Sequence, residues 1–137
     1  FAEDMYINLK LFNEARIIAF CESELYYYNQ VGESLTRTSF NLHMLDAIEA
    51  LKDWKCFIED NYPEFIPNIN IRYYVNIIDI MRCLSVVKDA KATKEYLKYK
   101  EIIRTNIREI LRMEIHIKEK IKAIMIICRI YPYAKIK

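Results

Sequence analysis

IRYYVNIIDIMRCLSVVK, residues 71–88, is the stretch that decides the fold class. Tyr74, Ile77, Ile78, Met81, Leu84 and Val87 are joined by Val75, Ile80 and Val86, so apolar side chains surround most of a helical cylinder. A helix that is apolar on most sides belongs in the middle of a bundle. Asn68 or Asn70 is placed to cap its start. Asp79 and Arg82, three residues apart, are placed to pair.

Upstream, Ser39 is placed as an N-cap. Phe40, Met44, Ala47, Ile48, Leu51, Trp54 and Ile58 then form one stripe of a helix of about twenty residues. Asn41, Glu49, Lys52, Asp53 and Glu59 occupy the other face, and its acids read as a solvated surface rather than a metal site. Asn61-Tyr62-Pro63 ends that helix, and Pro67 is expected to keep the next segment extended. Downstream, residues 88–92 form a polar connector, and Thr93 is placed to cap the next helix. Tyr96, Tyr99, Ile103, Ile110, Ile117 and Ile124 trace a stripe that no Pro or Gly interrupts before Pro132. It is one very long helix or two. A break near Met113–His116 is preferred, because the apolar face blurs there.

Composition agrees with helices. The 137 residues hold one Gly, eleven Tyr and 53% hydrophobic residues. Tight turns and hairpins rely on Gly, so its scarcity favours long helices. The length suits one ordinary domain with a single core. A net charge of +2 makes no case for nucleic acid. Cys21, Cys56, Cys83 and Cys128 show no C-x-x-C and sit in apolar neighbourhoods, so buried free thiols in a reducing compartment are expected. Two isolated histidines, His43 and His116, argue against zinc. No stretch reads as a secretory signal, and no apolar run reaches the ~18 residues needed to span a bilayer.

The N-terminal stretch has a different texture. Phe1, Met5, Leu9 and Phe12 recur at helical spacing, giving a short amphipathic helix over about Glu3 to Glu14. Its stripe needs a wall to bury against. Ile17-Ile18-Ala19-Phe20-Cys21 is β-branched and aromatic, and Leu25 to Asn29 is a second strand candidate after the polar Glu22-Ser23-Glu24. The loop with the lone Gly32 lacks the glycine repeat of a phosphate cradle. Two acids at the start, Glu3-Asp4, suit a helix N-terminus, where the dipole favours negative charge.

In order, Phe1-Ala2-Glu3-Asp4-Met5-Tyr6-Ile7-Asn8, a helix closing on Asn13-Glu14-Ala15-Arg16, an apolar strand, Leu25-Tyr26-Tyr27-Tyr28 and Ser34-Leu35-Thr36 span about a quarter of the chain. This run resembles family 2 inverting glycosyltransferases of the GT-A group. The resemblance implies that Asp4 is the general base for the acceptor hydroxyl, with Glu3 its neighbour in the motif. A sugar hydroxyl is a weak nucleophile at neutral pH, and a positioned carboxylate can take its proton in the transition state. The resemblance also marks Tyr28, Ser34 and Arg37 as substrate-binding candidates. Tyr28 belongs to a Tyr run that serves either packing and hydrogen bonding or an acceptor groove. Two positions depart from the pattern. Ala2 stands where the family usually has Gly, and Asn29 where an Arg often follows the Tyr run, leaving Arg37 as the substitute candidate near a donor diphosphate.

The expected architecture is therefore mainly α, a bundle of about four to five helices with a short N-terminal β-hairpin. Residues 1–37 would be the end of a GT-A catalytic domain, and 38–137 a C-terminal helical region. The resemblance implies a nucleotide-sugar donor, a glycan or lipid-linked acceptor, and Mg²⁺ or Mn²⁺ in the intact enzyme. No Asp-x-Asp occurs in these residues, so no cofactor is expected within this chain. With Phe1 rather than Met at its start, the chain is expected to be a C-terminal piece that is inactive by itself. The expected location is cytoplasmic, at the inner face of the cell membrane if the tail docks there. From Ile115 to Lys137 six basic residues face one acid, interleaved with Ile and Tyr. That tail either closes the bundle or lies on an anionic membrane surface. A non-catalytic interaction module that dimerises through its apolar first helix is the remaining alternative.

Overall fold

The computed structural model describes residues 3–23, 27, 42–86, 90–128 and 130. Among them the chain is mainly α-helical and contains no strand. Six α-helices follow in order: α1 (Glu3–Glu14), α2 (Asp46–Asn61), α3 (Ile66–Val86), α4 (Ala90–Thr105), α5 (Ile107–Arg112) and α6 (Ile117–Ile127). Short 3₁₀ turns, Leu42–Leu45 and Pro63–Phe65, lead into α2 and α3.

α3 is the central element. It packs on α2, α4 and α6, and α6 also packs on α4 and α5. Tyr73, Tyr74, Ile77, Ile78, Met81 and Leu84 of α3 are all buried. They meet Ile48 and Leu51 of α2, Tyr99 and Ile103 of α4, Ile110 of α5, and Ala123 and Ile126 of α6. Those side chains recur three and four residues apart along each helix, which is why one continuous core forms. No charged or polar residue is buried among those described.

Several local expectations change. Pro67 lies inside the first turn of α3 rather than in extended chain. A proline is tolerated there because the first-turn N–H groups have no helical partner to lose. Asn68 and Asn70 consequently fall inside the helix, not at its cap. Thr93 likewise lies within α4, which begins at Ala90. The break around Met113–His116 is present: Met113 is extended, and His116 caps α6 by accepting the Lys118 backbone N–H at Nδ1, 3.1 Å. A second break at Asn106 was not expected. Its amide side chain donates to the Ile102 carbonyl at 2.8 Å, and its backbone N–H donates to the same oxygen at 3.1 Å, so the helix ladder continues through the break.

Asp79 does not pair with Arg82. It accepts instead from Lys122 of α6 at 3.1 Å, and Lys122 also reaches Glu119 at 2.8 Å. Burial alone would lower the Lys122 pKa, but hydrogen bonds to Glu119 and Asp79 outweigh it and raise it above its usual value. The cysteines are free, as expected, but not buried: Cys21, Cys56 and Cys128 are exposed and Cys83 half-buried. An apolar neighbourhood in sequence places a thiol next to core residues, not on their face of the helix. Of the expected hairpin, residues 17–21 form neither helix nor strand. Its second arm lies outside the described residues apart from Tyr27.

Candidate functional site

Helix α1 carries the candidate acid pair. Glu3 is its first residue, and Asp4 is exposed in its first turn. The Asp4 Oδ1 accepts the Met5 backbone N–H at 2.9 Å. First-turn N–H groups lack helical partners, so this contact serves the helix end whatever else the carboxylate does.

Two contacts fix α1 on α2. The Trp54 indole N–H donates to the Met5 carbonyl oxygen. The Tyr62 hydroxyl donates to Asn13 Oδ1. Met5 to Asn13 and Trp54 to Tyr62 are the same number of residues apart, so α1 runs parallel to the second half of α2. Met5 and Leu9 pack against the core between these pins. The carbonyl that Trp54 holds belongs to the residue next to Asp4, so α2 sets the position of the candidate base.

The opposite side of α1 faces outward, with Ile7 and Leu11 each more than half exposed. Phe12, on the Met5–Leu9 side, is also more than half exposed. The chain that follows continues this apolar surface, with Ile17 85% and Phe20 99% exposed. Between α1 and the α2–α3 junction lies an open groove of about 670 Å³, floored by Leu9, Phe12, Trp54, Phe57, Tyr62 and Phe65. The Arg72 guanidinium sits 5.8 Å from the Trp54 ring centroid at this groove, a cation–π distance. Among the described residues its lining carries no carboxylate, thiol or imidazole and is largely apolar.

The first half of α2 brings acids toward α1. The Tyr6 phenol is held above its usual range by desolvation and by the charges of Asp46, Asp53 and Glu49. Among the described residues, no group of three His, Cys, Asp or Glu side chains is arranged to hold a metal ion. Tyr28, Ser34 and Arg37 lie outside the described residues, as does the side chain of Glu3. The structure therefore places one candidate, Asp4, and adds two residues that sequence reading missed, Trp54 and Tyr62. Trp54 carried a signal, because it is the only Trp in the chain and was assigned to a buried stripe, where an indole N–H needs an acceptor. No protein-family model, curated protein or solved structure matches this chain.

Proposed function

We propose that the chain is the C-terminal part of an inverting family 2 glycosyltransferase of the GT-A group. It would transfer a sugar from a nucleotide-diphosphate donor to a glycan or lipid-linked acceptor. The observation that carries this reading is the ordered run from Phe1 to Thr36: the acid pair, its helix, an apolar segment, the Tyr run and the Ser-x-Thr. In this reading Asp4 is the general base, and residues 17–21 and 25–29 pair as a hairpin. Tyr28, Ser34 and Arg37 contribute to substrate binding.

The two-sided character of α1 supports the reading. One side is pinned to the bundle, and the other keeps Ile7 and Leu11 outside it. A helix lying between two layers of a domain carries apolar residues on both sides. An Asp-x-Asp with its Mg²⁺ or Mn²⁺ would hold the donor diphosphate and offset charge on the leaving group. This reading assigns donor and metal to an α/β half outside these 137 residues. What this chain contributes is the proton acceptor and the helix that positions it.

The test is Asp4→Asn in the enzyme that contains this chain. Turnover is expected to fall by about 10²–10⁴-fold, with donor binding close to wild type. Turnover near wild type removes Asp4 from the mechanism. A second reading, a module that dimerises through the outer side of α1, is favoured by the same exposed Ile7 and Leu11. Sedimentation separates the two. A dimer of this chain that Leu11→Asp dissociates, in a protein without sugar transfer, would replace the enzymatic reading.

A further inference from the structure

Helix α6 has two apolar faces, and only one of them closes the bundle. Ala123 and Ile126 are fully buried. Ile117, Ile121 and Ile124 are 62%, 49% and 45% exposed. These three stand at i, i+4 and i+7, so they form a single stripe along the helix, turned away from the bundle. Ile130, just beyond the helix, is also exposed at 47%.

Charge is arranged around this stripe. At about 100° per residue, Lys118 lies on one flank of it and Lys120 on the other. Neither has an acidic partner among the described residues. Glu119, the one acid of α6, lies on the inward side, with its side chain 18% exposed and paired to Lys122 at 2.8 Å. The outward side of α6 is therefore apolar along its middle and cationic along both edges, with its acid neutralised behind it.

We infer that the outer face of α6 docks on an anionic lipid surface, with Ile117, Ile121 and Ile124 entering the headgroup boundary and Lys118 and Lys120 meeting lipid phosphates. A protein partner would also cover an apolar stripe. Lysines on both edges, and no acid between them, fit a plane of like negative charge better than the mixed rim of a protein interface. An interfacial helix buries its apolar face while its lysines reach outward to the headgroups. Membrane-spanning is not implied, since no described helix is long and apolar enough to cross a bilayer. The inference does not depend on sugar transfer.

The experiment is flotation of the 137-residue chain with phosphatidylcholine vesicles, with and without phosphatidylglycerol, at low and high salt. Flotation is expected with the anionic vesicles only, and weaker at high salt. Ile121→Ser/Ile124→Ser should abolish it without changing the helical circular dichroism. Lys118→Gln/Lys120→Gln should weaken partition by about thirty-fold. Leu11→Ser on α1 should leave flotation unchanged, which keeps this face distinct from the other exposed apolar surface. The inference is overturned by no flotation, by equal flotation with neutral vesicles, or by flotation lost in Leu11→Ser and kept in Ile121→Ser/Ile124→Ser. A dimer in sedimentation that the Ile121→Ser/Ile124→Ser variant dissociates, together with no flotation, would assign the stripe to a second copy instead.

Discussion

Helices α3 and α1 began with the same kind of signal, apolar residues repeating at helical spacing, and ended in different surroundings. α3 is walled by α2, α4 and α6, and seven of its large side chains are buried. α1 packs mainly on α2, half-buries Met5 and Leu9, and leaves Ile7, Leu11 and Phe12 in the open. Periodicity reports that a face is built to be covered. It does not report whether the cover lies within the same stretch of chain.

That contrast can be broken most sharply by truncating one side chain on each helix. Ile77→Ala, at a fully buried site in α3, is expected to cost about 2–5 kcal/mol in urea unfolding, through lost transfer energy and the cavity left behind. Leu11→Ala on the outer side of α1 is expected to stay within about 0.5 kcal/mol. A cost above about 1 kcal/mol at Leu11 would mean that the outer face of α1 is covered in solution.

Alkaline titration tests the buried side of that comparison through the core tyrosines. Burial, with the charge and hydrogen bond of Glu109, pushes Tyr74 up to about 12. Burial, with the charges of Glu49 and Glu95, pushes Tyr99 higher still. Both folded-state values lie above the unfolded value near 10, so between about pH 10 and pH 12 the folded chain holds more protons than the unfolded one. Stability from these groups is fully present below pH ~10 and is lost as pH rises through that window. Absorbance should show the last tyrosinates appearing together with unfolding. Complete ionisation of all eleven tyrosines before any loss of helix would contradict the buried placement of Tyr74 and Tyr99.

A smaller loss than at Ile77 is expected at the pin itself. Trp54→Phe keeps most of the ring packing but removes the donor to the Met5 carbonyl, at a net cost of about 1 kcal/mol. Amide exchange should speed up in the first half of α1 and hardly change in α3, because local opening need not involve the core. Uniform acceleration in both helices would show that α1 and the core open as one unit.

Much of the helical framework was legible in the chain. The all-round apolar character of residues 71–88 already implied a central helix, and the blurred face near Met113 implied a break. Asn106 escaped notice because the irregularity spans a single residue, with the backbone ladder continuing through it and the apolar stripe undisturbed. Pro67 misled because proline stops a helix from the inside yet is accepted in the first turn, and only the position of the first turn separates the two cases. Asp79 had a plausible local partner in Arg82, but Lys122 approaches from 43 residues further along the chain. At the candidate site, the sequence offers Asp4 as one of an acid pair at a helix start, whereas Trp54 and Tyr62 read only as packing and a helix end. Their hydrogen bonds to α1 join residues far apart in the chain, and no local pattern encodes such pairs.

By itself, the sequence determined which segments become helices and how many apolar faces each one presents. Those properties depend on side chains three or four residues apart, which meet as soon as a helix turns. Only the tertiary structure decided which of those faces is used: that α1 lies parallel to α2, that Ala123 and Ile126 close the bundle, and that Ile117, Ile121 and Ile124 stay outside it. Coverage depends on where distant segments come to rest, and a helix with two suitable faces has no local means of choosing between them.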